Sequence, residues 1–534
     1  MIIHGIGEQR PMATLRSFVG ALLDRFDGHG RPRNRPGDRY YSKPDQISDS
    51  YELRRIKLRR AEAASKRFDW PETDFYEYYW AHQMYGTTAS HVLRWLLVTL
   101  WRSIPFIGHA GTDFPRMRRL ALAAWLVTIL TLIAVATFLR LMPDAFSFRS
   151  LAGAAGAVAV LLALWRSLLK YSVGAMLDVA GDAARYFDVN PKNVARRYDI
   201  LRGGIALLRK LHEERDVEGD RVMYRYGRIV LVGHSLGSVI AYDILRQYWG
   251  QVNGRIPVDE CAEELDVVER FVADRRDSPP PEAQASFGQA PWYWRAQGAL
   301  WKAIRDRAPA GTPLSLRALW RARSGTTHDP SAAAIEPAAD EPPRDWHPGR
   351  WLVSDLVTLG SPLAHAPVLL AAGIADLDVK RGLRELPTCP PDRSRRVRPG
   401  HYAVPLSGEA IVFHSYTILH HGACFAPTRW TNLWYSNDPV GGPLRAAFGR
   451  GIRDIRLPDA PFWLKAHTSY WRTPKRARLI EAILGQRRRP GFKPRPKGTP
   501  ALRAMLRYWR YMTRRPRPRG TLILEAILRN GQRR

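Results

Sequence analysis

Three side chains able to perform nucleophilic acyl chemistry occur in the order serine, aspartate and histidine along the chain. Ser235 is the centre of the pentapeptide 233–237, which follows the apolar run 228–232 and precedes helix-compatible residues. A strand, a G-x-S-x-G turn and a helix together predict a nucleophile elbow, which exposes the serine hydroxyl to a base. Flanking glycines allow the strained turn and close packing of strand and helix. The alternative is an ordinary strand-to-helix turn with a buried serine.

The acid and the base that such a serine needs are found further along the chain. A base accepts the serine proton, and a carboxylate orients that base and stabilises its charge. Asp438 follows an apolar run in a proline-bounded turn, and His467 follows it in a loop with aromatic neighbours. We predict Ser235 as nucleophile, Asp438 as acid and His467 as base, in the chain order typical of nucleophile-elbow enzymes. The competing acids are Asp355, Asp376 and Asp378, and the competing histidines, which precede the acid, are His414, His420 and His421.

The oxyanion formed by serine attack requires backbone N–H donors. One predicted donor is Leu236, directly after the nucleophile, and the other is Ile6 or Gly5 in the glycine-rich turn after the first strand. A purely structural turn is the alternative there. His234, inside the pentapeptide, is predicted to be a packing residue. The three cysteines are far apart and no metal-ligand spacing is visible, so we predict no metal and a reducing compartment.

Two apolar segments predict a membrane hairpin. Residues 120–139 carry no charge and are long enough to cross a bilayer. The uncharged stretch 150–165 is shorter, and it spans over about 150–167 only if its flanking arginines extend towards the interface. A buried or re-entrant helix is the alternative for this second segment. Arginines flank the outer ends of the hairpin, so the positive-inside rule predicts both long arms in the cytoplasm.

The formal net charge of +32 is concentrated at the carboxyl end. Residues 472–534 contain 20 basic and two acidic residues. Within this tail, 501–512 places apolar side chains on one helical face and arginines on the other, which predicts a helix lying on a membrane surface. A solvated tail without a specific partner is the alternative. Because no nucleic-acid-binding module is recognisable, we do not expect nucleic acid as a partner.

The rest of the chain supplies the elements that must position these residues. Periodicity predicts a helix over 14–26 and another opening at Asn190, with the end of a strand at 1–3. Further strands are predicted over 50–59, 74–81, 228–232, 351–359 and 429–435. The proline-, alanine- and tryptophan-rich stretch 251–350 predicts either a poorly ordered insertion or a cap over the site. The predicted regions are 1–90 (start of the catalytic domain), 91–185 (hairpin insertion), 186–250 (elbow region), 251–350 (insertion), 351–471 (acid and histidine) and 472–534 (basic tail).

Five motifs resemble the lipase and esterase branch of the α/β-hydrolase superfamily, in particular uncharacterised, membrane-associated bacterial members. They are residues 3–9, 233–238, 357–362 and 437–440, together with His467. The resemblance covers most of 1–471 apart from the hairpin and the proline-rich insertion. It implies a mostly parallel sheet flanked by helices, ester hydrolysis through an acyl-serine, and no cofactor. The short first strand and the position of the large insertion depart from the family pattern, which leaves pocket shape and substrate open.

Together these observations predict an α/β-hydrolase fold with an inserted transmembrane hairpin and a proline-rich insertion. The expected activity is a membrane-anchored serine hydrolase that cleaves a lipid or other acyl ester. The expected location is the bacterial inner membrane, with the catalytic domain facing the cytoplasm, bound through the hairpin and the basic tail. The alternative is a catalytically silent membrane scaffold with the same fold, which binds through its tail. Acyl length, head group and oligomeric state stay open.

Overall fold

The structure is a computed structural model with two units. One comprises Met1–Glu62 and Trp70–Gln486, and the other comprises Ala63–Asp69 and Arg487–Arg534. All described residues belong to the first unit. The residues that the structure describes are 1–5, 10–23, 40–45, 47, 53–58, 72–83, 97–108, 114–141, 185–188, 190–218, 221–256, 258, 261–273, 292–307, 350–391, 398–406, 410–457 and 466–471.

Helices and strands alternate along most of the described part. The helices are α1 Ala13–Leu23, α2 Leu97–Ile107, α3 Pro115–Leu141, α4 Pro191–Glu213, α5 Leu236–Val252, α6 Ala262–Ala273, α7 Trp292–Arg307, α8 Ala366–Leu369, α9 Ile374–Gly382 and α10 Arg445–Phe448. The strands are β1 Ile2–Ile3, β2 Tyr40–Pro44, β3 Arg54–Leu58, β4 Thr73–Phe75, β5 Glu77–Tyr78, β6 Arg215–Glu218, β7 Arg221–Tyr224, β8 Ile229–His234, β9 Val353–Leu359, β10 Arg398–Leu406, β11 Ala410–Ile418, β12 Arg429–Tyr435 and β13 Arg453–Leu457.

A six-stranded sheet, in the order β13-β12-β9-β8-β1-β5, forms the centre of the described part. Every pairing between neighbouring strands of this sheet is parallel. The segments that follow β1, β8, β12 and β13 therefore leave the sheet at one edge, the carboxyl edge of the strands. Smaller antiparallel sheets are formed by β2-β3-β4, by β6-β7 and by β10-β11. The prediction of an α/β fold with a parallel sheet is confirmed.

Burial along the strands explains why they form the centre. All seven residues of β9 are buried, and in β8 Leu231 is completely inaccessible. A strand buried along its length must be covered on both faces, which is the usual situation in a parallel sheet. On α5, Ile240 and Ile244 are completely buried, and that helix packs on both β8 and β9. Helix α4 packs in turn on α5 and buries Leu208.

The local signals that start and place these elements are confirmed. Asn190 caps α4 by accepting a hydrogen bond from the Lys192 N–H at 3.1 Å, and Pro191 is the first helical residue. An N-cap acceptor followed by proline satisfies the first turn, whose N–H groups have no intrahelical acceptor. The helix predicted over 14–26 is α1. The predicted strands at 1–3, 50–59, 228–232, 351–359 and 429–435 correspond to β1, β3, β8, β9 and β12, and 74–81 contains β5.

Asp355 has a structural role at the amino-terminal ends of the strands, as its position within a strand predicts. It is completely buried in β9 and accepts hydrogen bonds from Arg228 at 2.6 Å and from Arg429 at 2.7 Å. Burial alone would raise the pKa of this carboxyl, but the two guanidinium groups lower it below its usual value. The cluster ties β8, β9 and β12 together at the end of the sheet opposite the predicted nucleophile.

The predicted membrane hairpin is not confirmed. Helix α3 has 27 residues and contains the predicted span 120–139, whereas the second predicted segment, about 150–167, lies outside the described residues. Within the described part of the chain, we find no individual helix that combines the length and the hydropathy needed to cross a membrane. Two consecutive helical stretches, Pro362–Leu369 and Ile374–Gly382, meet those criteria jointly but are bent by 99° relative to each other.

Candidate active site

Ser235 occupies a strained turn between β8 and α5. Its backbone angles are φ 53° and ψ −131°, a conformation that side-chain-bearing residues rarely adopt. The Ser235 N–H donates to the Leu359 carbonyl oxygen at 3.0 Å, which holds the turn against β9. Backbone strain of this kind persists where the surrounding structure enforces it, and it clusters at functional sites. The predicted elbow is therefore present as a geometric feature.

Two glycines of the pentapeptide are required by close backbone approach. A Cβ at Gly237 would lie 2.1 Å from the His4 carbonyl oxygen, and a Cβ at Gly233 would lie 2.4 Å from the Ser238 Cα. Backbone atoms cannot move away as a flexible side chain can. The pattern of glycines around Ser235 thus lets β1, β8 and the start of α5 pack together.

The structure brings the three predicted catalytic side chains together. The Ser235 Oγ lies 2.8 Å from the His467 Nε2. The His467 Nδ1 lies 3.0 Å and 3.2 Å from the two carboxylate oxygens of Asp438. These residues are separated by 203 and 29 positions in the sequence, so only the fold makes them neighbours. A hydroxyl, an imidazole and a carboxylate in this order can transfer a proton from the serine to the histidine.

Asp438 is held as an ionised carboxylate. It is completely buried, and it accepts hydrogen bonds from the Tyr470 hydroxyl at 2.6 Å and from the Val440 N–H at 2.9 Å. Burial acts to raise the pKa of this carboxyl, but the hydrogen bond and charge of His467, with the two further donors, bring it down to about 2. With the carboxylate charged at neutral pH, the His467 Nδ1 must carry the proton, which leaves Nε2 free to accept one from Ser235.

All three side chains lie at the carboxyl edge of the sheet. Ser235 follows β8 directly, Asp438 follows β12 by three residues, and His467 comes after β13. Loops at this edge of a parallel sheet are the usual place for functional groups, because successive strands deliver them to one crevice. The three residues are therefore far apart in the sequence, but their side chains lie within hydrogen-bond distance of one another in the fold.

The predicted oxyanion donors are described in part. Leu236 is the first residue of α5, where the backbone N–H has no intrahelical acceptor and the helix dipole is positive. Gly5 follows β1 and packs on the nucleophile, since a Cβ at Gly5 would lie 2.8 Å from the Ser235 Cβ. Ile6, the other predicted donor, lies outside the described residues.

His4 fixes the turn that carries Gly5, a role that sequence reasoning missed. Burial lowers the pKa of His4 to about 4, so the ring is neutral. Its Nδ1–H donates to the Gly5 carbonyl oxygen at 2.8 Å, and its Nε2 accepts the Trp80 N–H at 3.2 Å. The Trp80 indole N–H also donates to the His4 carbonyl oxygen at 3.0 Å. Both ring nitrogens are therefore used to hold backbone beside the nucleophile.

His234, predicted as a packing residue, has in addition a specific hydrogen bond. Its ring is partly buried by its neighbours, and this burial lowers its pKa to about 3. Since the ring is neutral and its Nε2 lies 2.8 Å from the His467 carbonyl oxygen, Nε2 carries the proton and donates it. The ring also lies 5.1 Å from the His467 ring, centroid to centroid. His234 thus positions the backbone of the predicted base.

The competing acids and bases occupy other places. Asp376 and Asp378 lie on α9, where they pair with Lys380 and Arg381. His420 accepts a hydrogen bond from the Gly422 N–H through its Nδ1, and its carbonyl accepts from Trp249. The side chain of His414 lies outside the described part. Among the described contacts, none of these groups reaches Ser235.

Two further side chains at the site carry no sequence signal. Tyr470, three residues after His467, donates to Asp438 and packs against Gly360, where a Cβ would lie 2.5 Å from the ring. The hydroxyl of Ser238 lies 2.5 Å from the Ser235 carbonyl oxygen and 2.6 Å from the Ser361 hydroxyl. A tyrosine after a histidine, or a serine in a helix, is too common to predict such contacts.

The insertion at 251–350 is described in part, and contacts of α7 show where that helix packs. In α7, Tyr293 and Gln297 are completely buried. The Gln297 amide donates to the carbonyl oxygens of Phe425 and Thr428 at 2.6 and 3.0 Å. Thr428 directly precedes β12, so α7 packs near the amino-terminal end of that strand. The predicted cap remains a prediction for the residues outside the described part.

Metal and disulfide chemistry has no visible place among the described residues. In those residues no group of three or more histidine, cysteine, aspartate or glutamate side chains is arranged to hold a metal. Cys261, Cys389 and Cys424 are buried and free. Burial raises the pKa of the Cys389 thiol to about 12. These thiols therefore behave as small apolar core residues.

Comparisons with known proteins add no relative. No family model, no curated protein and no solved structure matches this chain.

Proposed function

We propose that this chain is a serine hydrolase that cleaves a carboxylic ester through an acyl-serine intermediate. The observation that carries the proposal is the chain of hydrogen bonds from Ser235 Oγ through His467 to the ionised Asp438. The strained elbow and the positive end of α5 add to it, because they place the hydroxyl where a negative oxygen can be stabilised.

The first half of the reaction makes the acyl-serine. Ser235 Oγ attacks the ester carbonyl carbon while its proton passes to His467 Nε2. The negative oxygen is held by the Leu236 N–H and by the turn that contains Gly5. When the intermediate collapses, the bond to the alkoxy group breaks and the histidine returns its proton to the leaving alcohol. Loss of one oxyanion donor is expected to cost about 3 kcal/mol of transition-state stabilisation.

The second half restores the enzyme. Water gives a proton to His467 Nε2 and its oxygen attacks the acyl carbon. The ester bond to Ser235 Oγ then breaks, Ser235 recovers its proton from the histidine, and a carboxylic acid leaves. In both halves Asp438 stays ionised and stabilises the imidazolium by charge and by its hydrogen bond to Nδ1. No cofactor is needed in this scheme.

We further propose that the hydrolase acts at a membrane, so that its substrate is a lipid or another acyl ester dissolved in the bilayer. Helix α3 supports this, because its large apolar side chains are exposed: Leu126, Leu130 and Ile133 are each 55–57% exposed. Exposed apolar surface of this extent is typical of contact with lipid or another protein. We infer that α3 is the first arm of the predicted hairpin and that the catalytic domain faces the cytoplasm. Retention of the full chain in membranes after alkaline carbonate extraction tests the inference that α3 is inserted in the membrane.

Labelling by a fluorophosphonate probe tests the nucleophile. The full chain is expected to be labelled, and Ser235→Ala is expected to lose all labelling. Ser436→Ala is the matched control, because that serine lies at the surface beside Arg456 and should label as the parent does. Equal labelling of the Ser235→Ala chain would contradict the assignment. A folded chain that neither labels nor hydrolyses any short-chain p-nitrophenyl ester would instead support the alternative of a silent scaffold.

A further inference from the structure

A cavity of about 620 Å³ lies outside the catalytic triad. Its walls come from α2, α4, α5, α9 and the segments 186–188, 368–372 and 385–386, and no triad side chain contributes. The volume is within the range of roughly 300–1,000 Å³ that holds small organic ligands. Helix α5 runs from Ser235 to this cavity, where Arg246 lines it about 16 Å further along the helix axis. The cavity is therefore separate from the nucleophile.

The cavity opens among exposed apolar side chains. Its lining includes Val98, Leu201, Val368 and Leu370. Among the described residues outside α3, the exposed large apolar side chains all lie on helices that line this cavity or directly after α9. They are Leu97, Val98, Trp101, Ile104, Val194, Tyr198, Val379 and Leu383. Helix α2, with Trp101 71% exposed, packs against α3. Three of these exposed side chains, Val98, Val194 and Tyr198, line the cavity, and α2 connects it with the apolar surface proposed to meet the membrane.

The cavity lining has as many basic as acidic side chains, but they differ in the partners that they already have. The lining has four basic and four acidic side chains: Arg102, Arg197, Arg246, Lys380, Asp188, Asp243, Asp376 and Glu385. Asp243 accepts from Tyr186 at 2.6 Å and pairs with Arg246 at 2.7 Å. Asp376 accepts the Ala372 N–H at 2.8 Å and lies 3.4 Å from Lys380. These two carboxylates are therefore already engaged within the wall.

Two arginines at the cavity keep donors for a ligand. Arg197 donates to the Tyr186 carbonyl oxygen at 3.0 Å, and Arg102 lies 3.5 Å from the Val368 carbonyl oxygen. In the described part of the chain neither guanidinium is within salt-bridge distance of a carboxylate. A guanidinium has five N–H donors in a planar fork that matches a phosphate, so most of these donors are left over.

We propose that this cavity binds one glycerophospholipid from the membrane surface. Its phosphate is held by Arg102 and Arg197, and one acyl chain lies against the apolar lining. The remaining N–H donors of Arg102 and Arg197 favour a phosphate, and the exposed apolar side chains of α2 and α3 favour a lipid over a soluble phosphate ester. The lipid would fix the orientation of the catalytic domain at the bilayer. The proposal does not depend on catalysis by Ser235.

Native mass spectrometry of the full chain in detergent, with added dioleoylphosphatidylglycerol, tests the proposal. We expect one lipid to be retained per chain. Arg102→Gln/Arg197→Gln should weaken retention about thirtyfold, because each cation beside an anionic headgroup contributes about fivefold. The matched control Arg202→Gln/Arg209→Gln removes two arginines of α4 that pair elsewhere, with Asp199 and Gln251, and should retain lipid normally. Leu201→Trp, which fills the cavity, should reduce retention at least tenfold with both arginines intact.

Two competing ligands separate the contribution of the phosphate to binding from that of the acyl chains. Dioleoylglycerol, which lacks the phosphate, and glycerol 3-phosphate, which lacks the acyl chains, should each compete at least tenfold less well. The proposal is overturned if either competes as well as the phospholipid, or if the Arg102→Gln/Arg197→Gln chain retains lipid as the parent does. A chain that retains no lipid would equally overturn it. Ser235→Ala should retain lipid unchanged, which separates this result from any failure of the proposed hydrolase activity.

Discussion

Replacement of His234 by phenylalanine isolates the contribution of one hydrogen bond to the position of the base. In the structure the partly buried ring lies next to Tyr470 and Trp471, at centroid distances of 5.8 and 5.0 Å. Phenylalanine keeps the ring but removes the Nε2–H that donates to the His467 carbonyl oxygen at 2.8 Å. The substitution thus changes a hydrogen bond with little change of packing volume.

The expected loss follows from what that bond restrains. Leaving a buried carbonyl without its donor costs about 1–3 kcal/mol. A displacement of the base by about 1 Å lowers the rate on the order of 100-fold, which corresponds to about 3 kcal/mol in the activation free energy. Because the hydrogen bond from His234 is made to the backbone of His467, the loss should appear in kcat, with KM changed less than twofold. His234→Gln, whose amide can replace the Nε2–H donor, should recover activity to within about tenfold of the parent.

The measurement is kcat and KM for p-nitrophenyl butyrate, with the fraction of folded chain checked by circular dichroism. His212→Phe is the matched control. His212 is a buried histidine with a pKa lowered by burial to about 4, and its ring also holds backbone, through Leu208 and Leu352. It lies beside the first residues of β9, away from the triad, so His212→Phe should lower stability and leave kcat of the folded fraction unchanged.

A specific result would refute this reasoning. If His234→Phe and His212→Phe reduce stability alike and both keep kcat within threefold of the parent, the hydrogen bond to His467 has no positioning role. His234 would then be a packing residue only.

Three further predictions concern the site and the sheet. Asp438→Asn should lower kcat about 10⁴-fold while the fold is kept, because an amide cannot hold His467 in the required tautomer; a loss below tenfold in ester hydrolysis would contradict the triad. Gly237→Ala should lower the free energy of unfolding by about 3 kcal/mol, because its Cβ would lie 2.1 Å from the His4 carbonyl oxygen; urea denaturation with the parent midpoint unchanged would disprove this. Burial raises the pKa of Glu77 to about 7, so its contribution to stability is complete below about pH 4.3 and is lost as the pH rises to about 7. Between pH 4.5 and 7, Glu77→Gln should remove up to about 3 kcal/mol of the decline in the free energy of unfolding, measured by urea denaturation. An unchanged dependence of that free energy on pH would exclude Glu77 as the source of the decline.

Much of the parallel sheet could be predicted, because its strands are encoded locally. The runs that form β8, β9 and β12 are apolar and end in turn residues, so composition alone marks them as buried strands. The cap and proline that begin α4 are equally local. The strand order β13-β12-β9-β8-β1-β5 could not be read in this way, since it depends on contacts between segments that are far apart in the sequence, such as Ile2 and Val232.

The sequence likewise predicts some residues of the candidate site and not others. The elbow has a short motif because the turn at Ser235 requires glycines within two residues on either side. Asp438 is predictable from its order after the serine and its turn after a strand, and His467 from its order after the acid. The supporting roles of His4, His234 and Tyr470 left no pattern, because each depends on a hydrogen bond to backbone or carboxylate brought near by the fold.

By itself, the sequence determined which residues are chemically able to form a triad, and it marked the glycine pattern, the apolar strands and the long uncharged segment within α3. These are properties of residue type and near-neighbour spacing. Only the tertiary structure decided that Ser235, His467 and Asp438 meet within 3.0 Å contacts, and that Asp355 belongs to an ion cluster at the other end of the strands. The physical reason is that hydrogen-bond geometry, burial and the resulting pKa of a carboxyl depend on neighbours in space, which the parallel sheet assembles from distant parts of the chain.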